Sequence, residues 1–489
     1  KHAGEKNMKF IKKMALIKTG SILLFVAGLL IADPGYSRKP SPLKPRLLVL
    51  TDIAPGNIEP DDHESMVRLL SYADRFEIEG LVVCSGWNSS NITLPASWMD
   101  ILQSTIDAYE KDLPNLMKRS GQTGFLSFAK ESKQQTLGYW PSAAYLRSRS
   151  MFGSLKQGYK EIGEHNNTAG SDFIIKLADE KDDRPIYISV WGGANTLAQA
   201  IWKVKKERTP DQLKVFLHKL RVYTILDQDV PYQNRNTDYS FSSHQWLRRE
   251  FEKDLFFIWD DCAVDYQVTH GKERWADYKE MIQGQGHLGS AYPDLLWGVE
   301  GDTPSFLYVM PNGLSNPEDP AQGNWGGYFE WMLCADSTTW AYSDKRKSTV
   351  FDTCTRWMKY FYPAYFNDFA ARIAWARDGK GNRNPVVVID KKEGINVITL
   401  KPVQGREINL DASGSFDPDG DQLTYKWWLM PAAGTYKGNI SILNDNTGTA
   451  RLTIPPDAAG KTFHVICEVT DNGTPALTSY RRVIFEPVK

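Results

Sequence analysis

The sequence has almost no net charge, because 58 Lys and Arg residues balance 59 Asp and Glu residues among its 489 positions. Contacts to nucleic acid phosphates need concentrated positive charge, so the composition argues against nucleic acid as the main partner. Cysteine is also scarce, and no Cys–Cys or Cys–His spacing is typical of a zinc site. The length suggests two to three domains with ample material for a core.

Long apolar runs are lacking too, and the run at residues 21–31 is too short to span a bilayer comfortably. Several lysines precede it, and a positive region followed by an apolar one is typical of a secretory signal peptide. We therefore predict a signal peptide over residues 1–37. Such a leader implies periplasmic or extracellular residence, in a bacterium, without membrane association after cleavage.

The five cysteines cannot all form disulfides with one another. In an oxidising compartment, Cys334 and Cys354 are candidates for one bridge. Cys84 and Cys467 belong to apolar strand patterns, which favours buried free thiols at both positions.

The first and larger part of the chain alternates strand and helix patterns. Predicted strands cover residues 47–51, 78–84, 186–190, 221–226 and 255–259, and predicted helices cover 64–74, 96–111, 171–180, 195–206 and 350–377. The stretch 120–170 is predicted to be irregular. This alternation predicts an α/β domain over residues 44–380, with a mostly parallel open sheet and helices on both faces.

The last part of the chain has a different pattern. Short alternating strands, separated by turns rich in Asp, Gly and Pro, predict a small all-β sandwich of antiparallel strands over residues 385–489. Residues 410–428 resemble Ig-like modules of the PKD and cadherin kind. Asp417, Asp419 and Asp421 could bind calcium, but these residues are ordinary turn formers, which favours a turn.

Three carboxylates lie close together in the stretch 47–70. An apolar run typical of a fully buried strand ends at Asp52, and a loop leads to Asp61 and Asp62 at the start of a helical pattern. Open α/β sheets bind ligands at this edge. Three such carboxylates repel one another unless a cation binds or a proton is shared, and hard oxygen ligands suit Ca²⁺ or Mg²⁺. Alternatively, the acidic pair could cap the helix and Asp52 could belong to a turn.

The order Asp52, Pro55, Gly56, Asp61 and Asp62 resembles the first motif of the nucleoside hydrolases. The segments TDI, EPDD, SMVRLL and IEGLVV are similar to a divergent branch, the nucleoside hydrolase-like domain of proteins described as cellulose-binding. Two later segments, 185–202 and 298–310, resemble the family's Gly-Gly turn and its late His-Asp segment. The resemblance covers roughly residues 46–378.

This resemblance implies a calcium site and assigns roles to individual residues. The calcium ligands would be Asp52, Asp62, Asp302 and the backbone carbonyl of Val190 or Trp191, of which Trp191 is the expected one. Asp52 would also act as general base and Asp61 would bind sugar hydroxyls. Gly301 replaces the family's His near the leaving base, and the neighbouring Glu300 is assigned as the leaving-group acid.

Further substrate contacts are predicted at strand ends and after Asp302. The segment 312–325 is expected to close over the site, although its turn residues could instead mark a surface loop. The residues assigned to substrate binding are Asp61, Asn195, Asp227, Gln228, Asn312, Glu318 and Trp325.

The resemblance and the predicted leader together indicate a secreted calcium-dependent hydrolase of a furanosyl glycosidic bond, with N-ribosyl cleavage as one case. The alternative is a protein that binds cellulose or another polysaccharide on the same fold without catalysis. In both cases the partner is a carbohydrate or nucleoside-like small molecule, or a polysaccharide. The aromatic content of 12% fits either a sugar-binding groove or an ordinary core.

Overall fold

The computed structural model describes residues 41–89, 92–229 and 239–489. Residues 42–489 form one compact unit. The predicted signal peptide lies outside the described residues. Within the described part of the chain, no helix is both long enough and apolar enough to cross a membrane.

An eight-stranded sheet forms the centre of the larger domain, in the order β3-β2-β1-β4-β5-β6-β8-β7. All neighbouring strands in it are parallel except β7 and β8, which form an antiparallel hairpin at one edge. The strands are β1 (Arg46–Thr51), β2 (Glu77–Val83), β3 (Ser150–Phe152), β4 (Ile186–Val190), β5 (Leu220–Ile225), β6 (Phe256–Asp260), β7 (Glu330–Leu333) and β8 (Trp340–Ser343).

Strand β1 is buried along its whole length because apolar layers cover both faces of the sheet. Leu47 and Val49 belong to one apolar cluster, and Leu48 and Leu50 belong to the other. Successive side chains of a strand point to opposite faces, so a continuous apolar run satisfies both layers. The predicted mostly parallel sheet with helices on both faces is confirmed.

Thirteen α-helices are present among the described residues. They are α1 (Pro60–Ser71), α2 (Trp98–Ser120), α3 (Phe128–Glu131), α4 (Ala143–Ser148), α5 (Ala169–Asp179), α6 (Asn195–Glu207), α7 (Pro210–His218), α8 (Ser243–Phe251), α9 (Ala263–Asp265), α10 (Trp275–Met281), α11 (Gly286–Ala291), α12 (Thr303–Leu307) and α13 (Thr349–Asp378). The stretch 120–170 contains α3, α4 and β3, so its prediction as irregular was partly wrong. A π-helical turn, Tyr266–Gly271, follows α9.

The smaller domain is all-β, as predicted, and has its own apolar cluster. It is built from two larger sheets. One has four strands in the order β11-β17-β16-β13, and the other has three strands in the order β12-β15-β14. β11 runs parallel to β17, which departs from the predicted antiparallel pattern. The strands are β9 (Val388–Ile389), β10 (Lys392–Glu393), β11 (Ile398–Leu400), β12 (Glu407–Asp411), β13 (Leu423–Leu429), β14 (Ile442–Leu443), β15 (Thr449–Thr453), β16 (Phe463–Asp471) and β17 (Thr478–Phe485).

The two domains pack against each other through aromatic and charged side chains. The ring of Trp428 lies 5.3 Å from that of Trp357 on α13. Arg482 donates hydrogen bonds to the carbonyls of Leu314 and Gln322, at 2.5 and 2.8 Å. Because the Arg482 contacts are buried, the β domain is part of the same folded unit rather than a freely tethered module.

The acidic run of the β domain forms a turn. Asp417 Oδ1 accepts hydrogen bonds from the backbone N–H groups of Asp419 and Asp421, at 2.7 and 3.2 Å. Asp419 pairs with Arg119 of α2 at 2.6 Å and with Arg383 at 2.8 Å. These contacts agree with the turn reading, because two guanidinium groups already neutralise the central carboxylate.

All five cysteines are buried free thiols. The predicted bridge between Cys334 and Cys354 is wrong, because the two residues belong to apolar clusters on opposite faces of the sheet. The expectation of free thiols at Cys84 and Cys467 is confirmed.

Candidate functional site

A pocket of about 1120 Å³ opens at the carboxyl ends of the central strands. Such an edge is where open α/β sheets bind ligands. One part of its wall is acidic, with Glu59, Asp61, Asp62 and Asp302, and another part is aromatic, with Trp87, Tyr239, Trp259 and Trp297. The pocket is therefore large enough for a small sugar or nucleoside and combines apolar faces with fixed polar groups.

Five carboxylates, which we call the acidic cluster, converge beside this pocket: Asp52, Glu59, Asp61, Asp62 and Asp302. Asp52 follows β1, Glu59 is the N-cap residue of α1, and Asp302 precedes α12. The side chain of Glu59 does not cap α1, and Asp61 and Asp62 lie in its first turn. The four aspartates are buried. The capping alternative therefore does not account for the cluster.

Several oxygens of the acidic cluster have no hydrogen-bond partner. These atoms are Asp52 Oδ1, Glu59 Oε1, Asp61 Oδ1 and Asp302 Oδ2. Oxygens of three members are held, since Asn88 Nδ2 donates to Asp52 Oδ2 at 3.0 Å, the Thr51 hydroxyl to Asp62 Oδ1, and Gln267 Nε2 to Asp61 Oδ2. Unsatisfied buried oxygens are costly, so this arrangement calls for a ligand.

Burial and mutual repulsion keep the pKa values of the cluster high. Burial and the charge of Asp61 raise the pKa of Asp52 to about 7. Burial, followed by neighbouring aspartates, raises the pKa values of Asp62 and Asp302 well above their usual range. The Asp62 and Asp302 side chains are also hydrogen-bonded to each other. Without a cation, the cluster must therefore share protons.

Glycines leave the space that two of these carboxylates occupy. A Cβ on Gly192 would lie 2.6 Å from Asp52 Oδ1, and a Cβ on Gly301 would collide with Gln267 and Asp61. Only glycine allows such close approach at these two positions. The glycine at position 301 thus makes room for the contact between Gln267 and Asp61.

The donor set fits a hard divalent cation. Asp52, Asp62 and Asp302 offer carboxylate oxygens, and no cation is among the described groups that shift their pKa values. One ligand oxygen from each of Glu59, Asp61 and Asp62 lies within 4.8 Å of the other two. All-oxygen ligand sets of this kind suit Ca²⁺. The backbone carbonyl of Trp191 lies at the end of β4 and accepts a hydrogen bond from Gln228, a residue of the pocket wall.

The wall of the pocket also carries two of the predicted substrate residues, Asp227 and Gln228. The Ser242 hydroxyl donates to both oxygens of Asp227, at 2.8 and 2.7 Å. Burial and the charge of Asp229 raise the pKa of Asp227 to about 7. Trp297 is 41% exposed and offers an apolar surface in the same pocket.

Glu300 does not occupy the position that a leaving-group acid requires. Its carboxylate is fully buried and accepts hydrogen bonds from Arg68 at 2.5 Å, Tyr292 at 2.8 Å and Tyr266 at 3.2 Å. The backbone at Glu300 is left-handed, with a φ of 53°. It is not part of the pocket wall, so the structure does not bring the predicted acid to the pocket.

Two further residues predicted to bind substrate, Asn195 and Glu318, hold structural contacts and are not part of the pocket wall. The Asn195 amide exchanges two hydrogen bonds of 2.7 Å with the backbone of Gly158. Glu318 pairs with Tyr187 and Arg221, near the amino ends of β4 and β5, and thus lies at the edge of the sheet opposite the pocket.

The segment 312–325 packs against the β domain and does not cover the pocket. Asn312 Oδ1 accepts a hydrogen bond from Leu314 N at 3.1 Å, and its backbone carbonyl accepts one from Tyr480 N at 3.3 Å. The buried indole of Trp325 donates to the Tyr480 hydroxyl at 3.3 Å. The expectation that this segment closes over the site was therefore wrong.

Three residues of the site were not assigned from the sequence: Glu59, Asn88 and Gln267. The acidic character of the EPDD segment was a signal for Glu59, since it directly precedes Asp61 and Asp62. Asn88 lies in a short 3₁₀ turn after β2, and Gln267 lies in the π-helical turn. Neither position has a local sequence pattern that points to a site.

Comparisons with known proteins agree with this architecture. The family model described as "Cellulose-binding Sde182, nucleoside hydrolase-like domain" matches residues 46–329, and "Cellulose-binding protein Sde0182, C-terminal domain" matches residues 407–487. A nucleoside hydrolase-related hypothetical protein from Saccharophagus degradans that is associated with carbohydrate metabolism is 32% identical. Its solved structure superposes with a TM-score of 0.76, and the match covers 91% of this chain and 100% of that chain.

No curated protein matched the chain. Two other solved structures match about a fifth of the chain each. The PKD domain from KIAA 1837 protein is 22% identical, with a TM-score of 0.15, over 19% of this chain and 81% of that chain. Human CDH23 EC21-23 is 19% identical, with a TM-score of 0.17, over 22% of this chain and 35% of that chain. Scores this low carry no inference. The family model over residues 46–329 and the Saccharophagus structure do support an inference. The chain belongs to the family of the cellulose-binding Sde182 nucleoside hydrolase-like domain.

Proposed function

We propose that the chain is a secreted, calcium-dependent hydrolase that cleaves the glycosidic bond of a furanosyl substrate. The observation that carries this proposal is the acidic cluster, whose unpartnered oxygens meet at the wall of a large pocket. The cellulose-binding family and the relative's association with carbohydrate metabolism support a carbohydrate as the substrate class.

The proposed calcium ligands are Asp52, Asp62, Asp302 and the carbonyl of Trp191. A bound divalent cation would orient a water molecule and lower its pKa. The repulsion that now raises the pKa values of the cluster would be relieved on binding, because a double positive charge favours the ionised carboxylates.

Asp52 is the proposed general base. Asn88 holds one of its oxygens at 3.0 Å, which leaves Oδ1 free to take a proton from the attacking water. Asp61 would bind a sugar hydroxyl through its free Oδ1 while Gln267 holds its other oxygen. Direct attack by water would invert the configuration at the anomeric carbon.

Glu59 is the proposed leaving-group acid in place of Glu300. It lines the pocket, its Oε1 has no partner, and burial followed by nearby aspartates raises its pKa well above the usual range. A carboxyl group that keeps its proton near neutral pH can donate it to a departing oxygen.

The role of Glu59 can be tested by changing the leaving group. We expect Glu59→Gln to slow cleavage of an alkyl glycoside about 100-fold or more while a nitrophenyl glycoside of the same sugar reacts almost normally. The exposed Glu393→Gln, in the β domain, is the matched control. Equal losses on both substrates would contradict the assignment.

The hydrolase proposal as a whole is tested by calcium content and a substrate screen. We expect about one tightly held Ca²⁺ per wild-type chain by plasma mass spectrometry, and loss of that ion in Asp302→Asn. Furanosides and nucleosides would then be screened with and without chelator. A folded wild type without calcium, and indifferent to added calcium, would overturn the mechanism.

Polysaccharide binding without catalysis is the second candidate, and exposed tryptophans on the β7–β8 hairpin favour it. Trp331 and Trp340 are each 43% exposed. The strand register places Trp331 opposite Tyr342 and Trp340 opposite Leu333, so all four side chains share one face. Exposed aromatic side chains are typical of binding surfaces, and their flat apolar rings suit the apolar faces of sugars.

This candidate is tested by sedimentation with insoluble cellulose. The Trp331→Ala/Trp340→Ala variant should lose binding if the hairpin is the contact surface, whereas Trp297→Ala should lose it if the pocket is. Binding that survives all three substitutions would exclude both surfaces.

A further inference from the structure

A second group of potential metal ligands lies apart from the acidic cluster. It consists of Cys262, Asp344 and Cys354, which we call the thiol cluster. One ligand atom from each residue lies within 4.8 Å of the other two. All three side chains are inaccessible to solvent, with exposures of 1% or less.

Three separate elements bring the thiol cluster together. Cys262 follows β6, Asp344 follows β8, and Cys354 lies in the second turn of α13. β6 and β8 are neighbouring parallel strands, so their carboxyl ends meet at the same edge of the sheet. The cluster is therefore a product of the tertiary fold rather than of a local loop.

Hydrogen bonds fix two of the three ligands. Asp260 Oδ1 accepts the backbone N–H groups of Cys262 and Ala263, at 2.7 and 3.0 Å. Asp261 N donates to Asp344 Oδ1 at 2.7 Å. Asp344 Oδ2 has no partner although the residue is 0% exposed. A fully buried carboxylate oxygen next to two thiols needs a proton or a cation.

We propose that the thiol cluster is a structural Zn²⁺ site, with the sulfurs of Cys262 and Cys354 and the carboxylate of Asp344 as ligands. Two sulfurs and one oxygen suit zinc better than calcium. In a tetrahedral site with Zn–S bonds of about 2.3 Å, the sulfurs lie about 3.8 Å apart, so only a small adjustment is needed. Binding releases the two thiol protons to solvent, together with the proton that Asp344 holds when no cation is bound.

The fourth ligand position would fall to water or to the Thr355 hydroxyl, whose oxygen lies 3.2 Å from Cys262 Sγ. A zinc ion here would tie β6, β8 and α13 together behind the pocket wall that Asp261, Lys345 and Arg346 form. The proposal does not depend on calcium binding or on hydrolysis.

The test is the zinc content of the purified full chain, grown with added zinc and dialysed with and without chelator. We expect about one zinc per chain by plasma mass spectrometry in wild type, and less than about a tenth of that in Cys262→Ser/Cys354→Ser. Cys467→Ser, a buried thiol of the β domain, and Asp302→Asn, in the acidic cluster, should keep the zinc. Their retention separates this site from the proposed calcium site.

Cobalt substitution of the wild type supplies a readout that needs no variant. Thiolate ligands give cobalt an intense sulfur-to-metal charge-transfer band that an all-oxygen site cannot produce, so its appearance supports the proposal even if the double variant does not fold. Wild type without zinc and without this band would overturn it. An intact mass lower by two hydrogens, with Cys262 joined to Cys354 in a disulfide, would also overturn it.

Discussion

Two buried carboxylates, Glu300 and Asp302, lie only two residues apart but have opposite environments. Glu300 accepts hydrogen bonds from Arg68 and two tyrosines. Asp302 faces other carboxylates and keeps one oxygen without a partner. Burial alone therefore does not mark a functional site. A buried charge whose compensation is missing does, because the protein stabilises it only when a ligand is bound.

The largest expected effect comes from removing the cation that compensates Glu300. Arg68→Met should lower the free energy of unfolding by about 3–5 kcal/mol, because it leaves a buried carboxylate unpaired. Arg68 also donates to the carbonyl of Tyr365 at 2.7 Å, and this bond is lost too. Urea denaturation measures the loss. Adding Glu300→Gln should restore part of the stability, and a loss below about 1 kcal/mol would contradict the comparison.

The same type of change in the acidic cluster should have the opposite sign. Without calcium, Asp302→Asn removes a carboxyl group whose ionised form burial and repulsion disfavour, so the free energy of unfolding near neutral pH should rise by about 1 kcal/mol. With calcium at 100 times its Kd, the wild type should gain about 2.7 kcal/mol and the variant should gain nothing. Urea denaturation with chelator and with calcium tests both statements. A destabilised variant in chelator would show that Asp302 is compensated in a way similar to Glu300.

The pH dependence of the free energy of unfolding tests the same contrast, between compensated and uncompensated buried carboxylates, at Asp52. Its folded pKa of about 7 exceeds the ordinary aspartate value of 3.8, so its contribution to stability is complete below about pH 4 and is lost as the pH rises towards 7. In chelator, the wild type should therefore lose more stability between pH 5 and pH 8 than Asp52→Asn does. Calcium should flatten the wild-type profile. Parallel profiles for both proteins in chelator would contradict the assigned pKa.

The sequence predicted the acidic cluster where its residues are local. Asp52 ends a buried strand, and Asp61 and Asp62 begin the next helix, so chain connectivity alone brings them to one edge. Asp302 was found through resemblance to a family motif. The structure does not bring its neighbour Glu300 to the pocket wall, because closeness in sequence does not give the direction of a side chain. The left-handed backbone at Glu300 belongs to a carboxylate that points to Arg68 instead.

The same limit applies to the rest of the fold. Strands buried on both faces were predicted from apolar runs, whereas β7 and β8 were missed because a half-exposed hairpin lacks such a run. The thiol cluster was not predicted for a similar reason. Cys262 and Asp344 follow two different strands, and Cys354 lies on a helix. Their spacing in the sequence therefore does not indicate a metal site.

The smallest expected effect concerns a carboxylate that is paired but not fully buried. Asp419 binds Arg119 at 2.6 Å, and the two side chains keep 24% and 16% of their exposure. Asp419→Asn should cost less than about 1 kcal/mol, and less still in high salt, because water and ions compete for both partners. Urea denaturation at two salt concentrations measures this. The Arg68–Glu300 pair has nearly the same N–O distance, 2.5 Å, so a much larger loss there would isolate burial as the cause. Equal losses at both pairs would mean that contact distance, rather than burial, decides what breaking an ion pair costs.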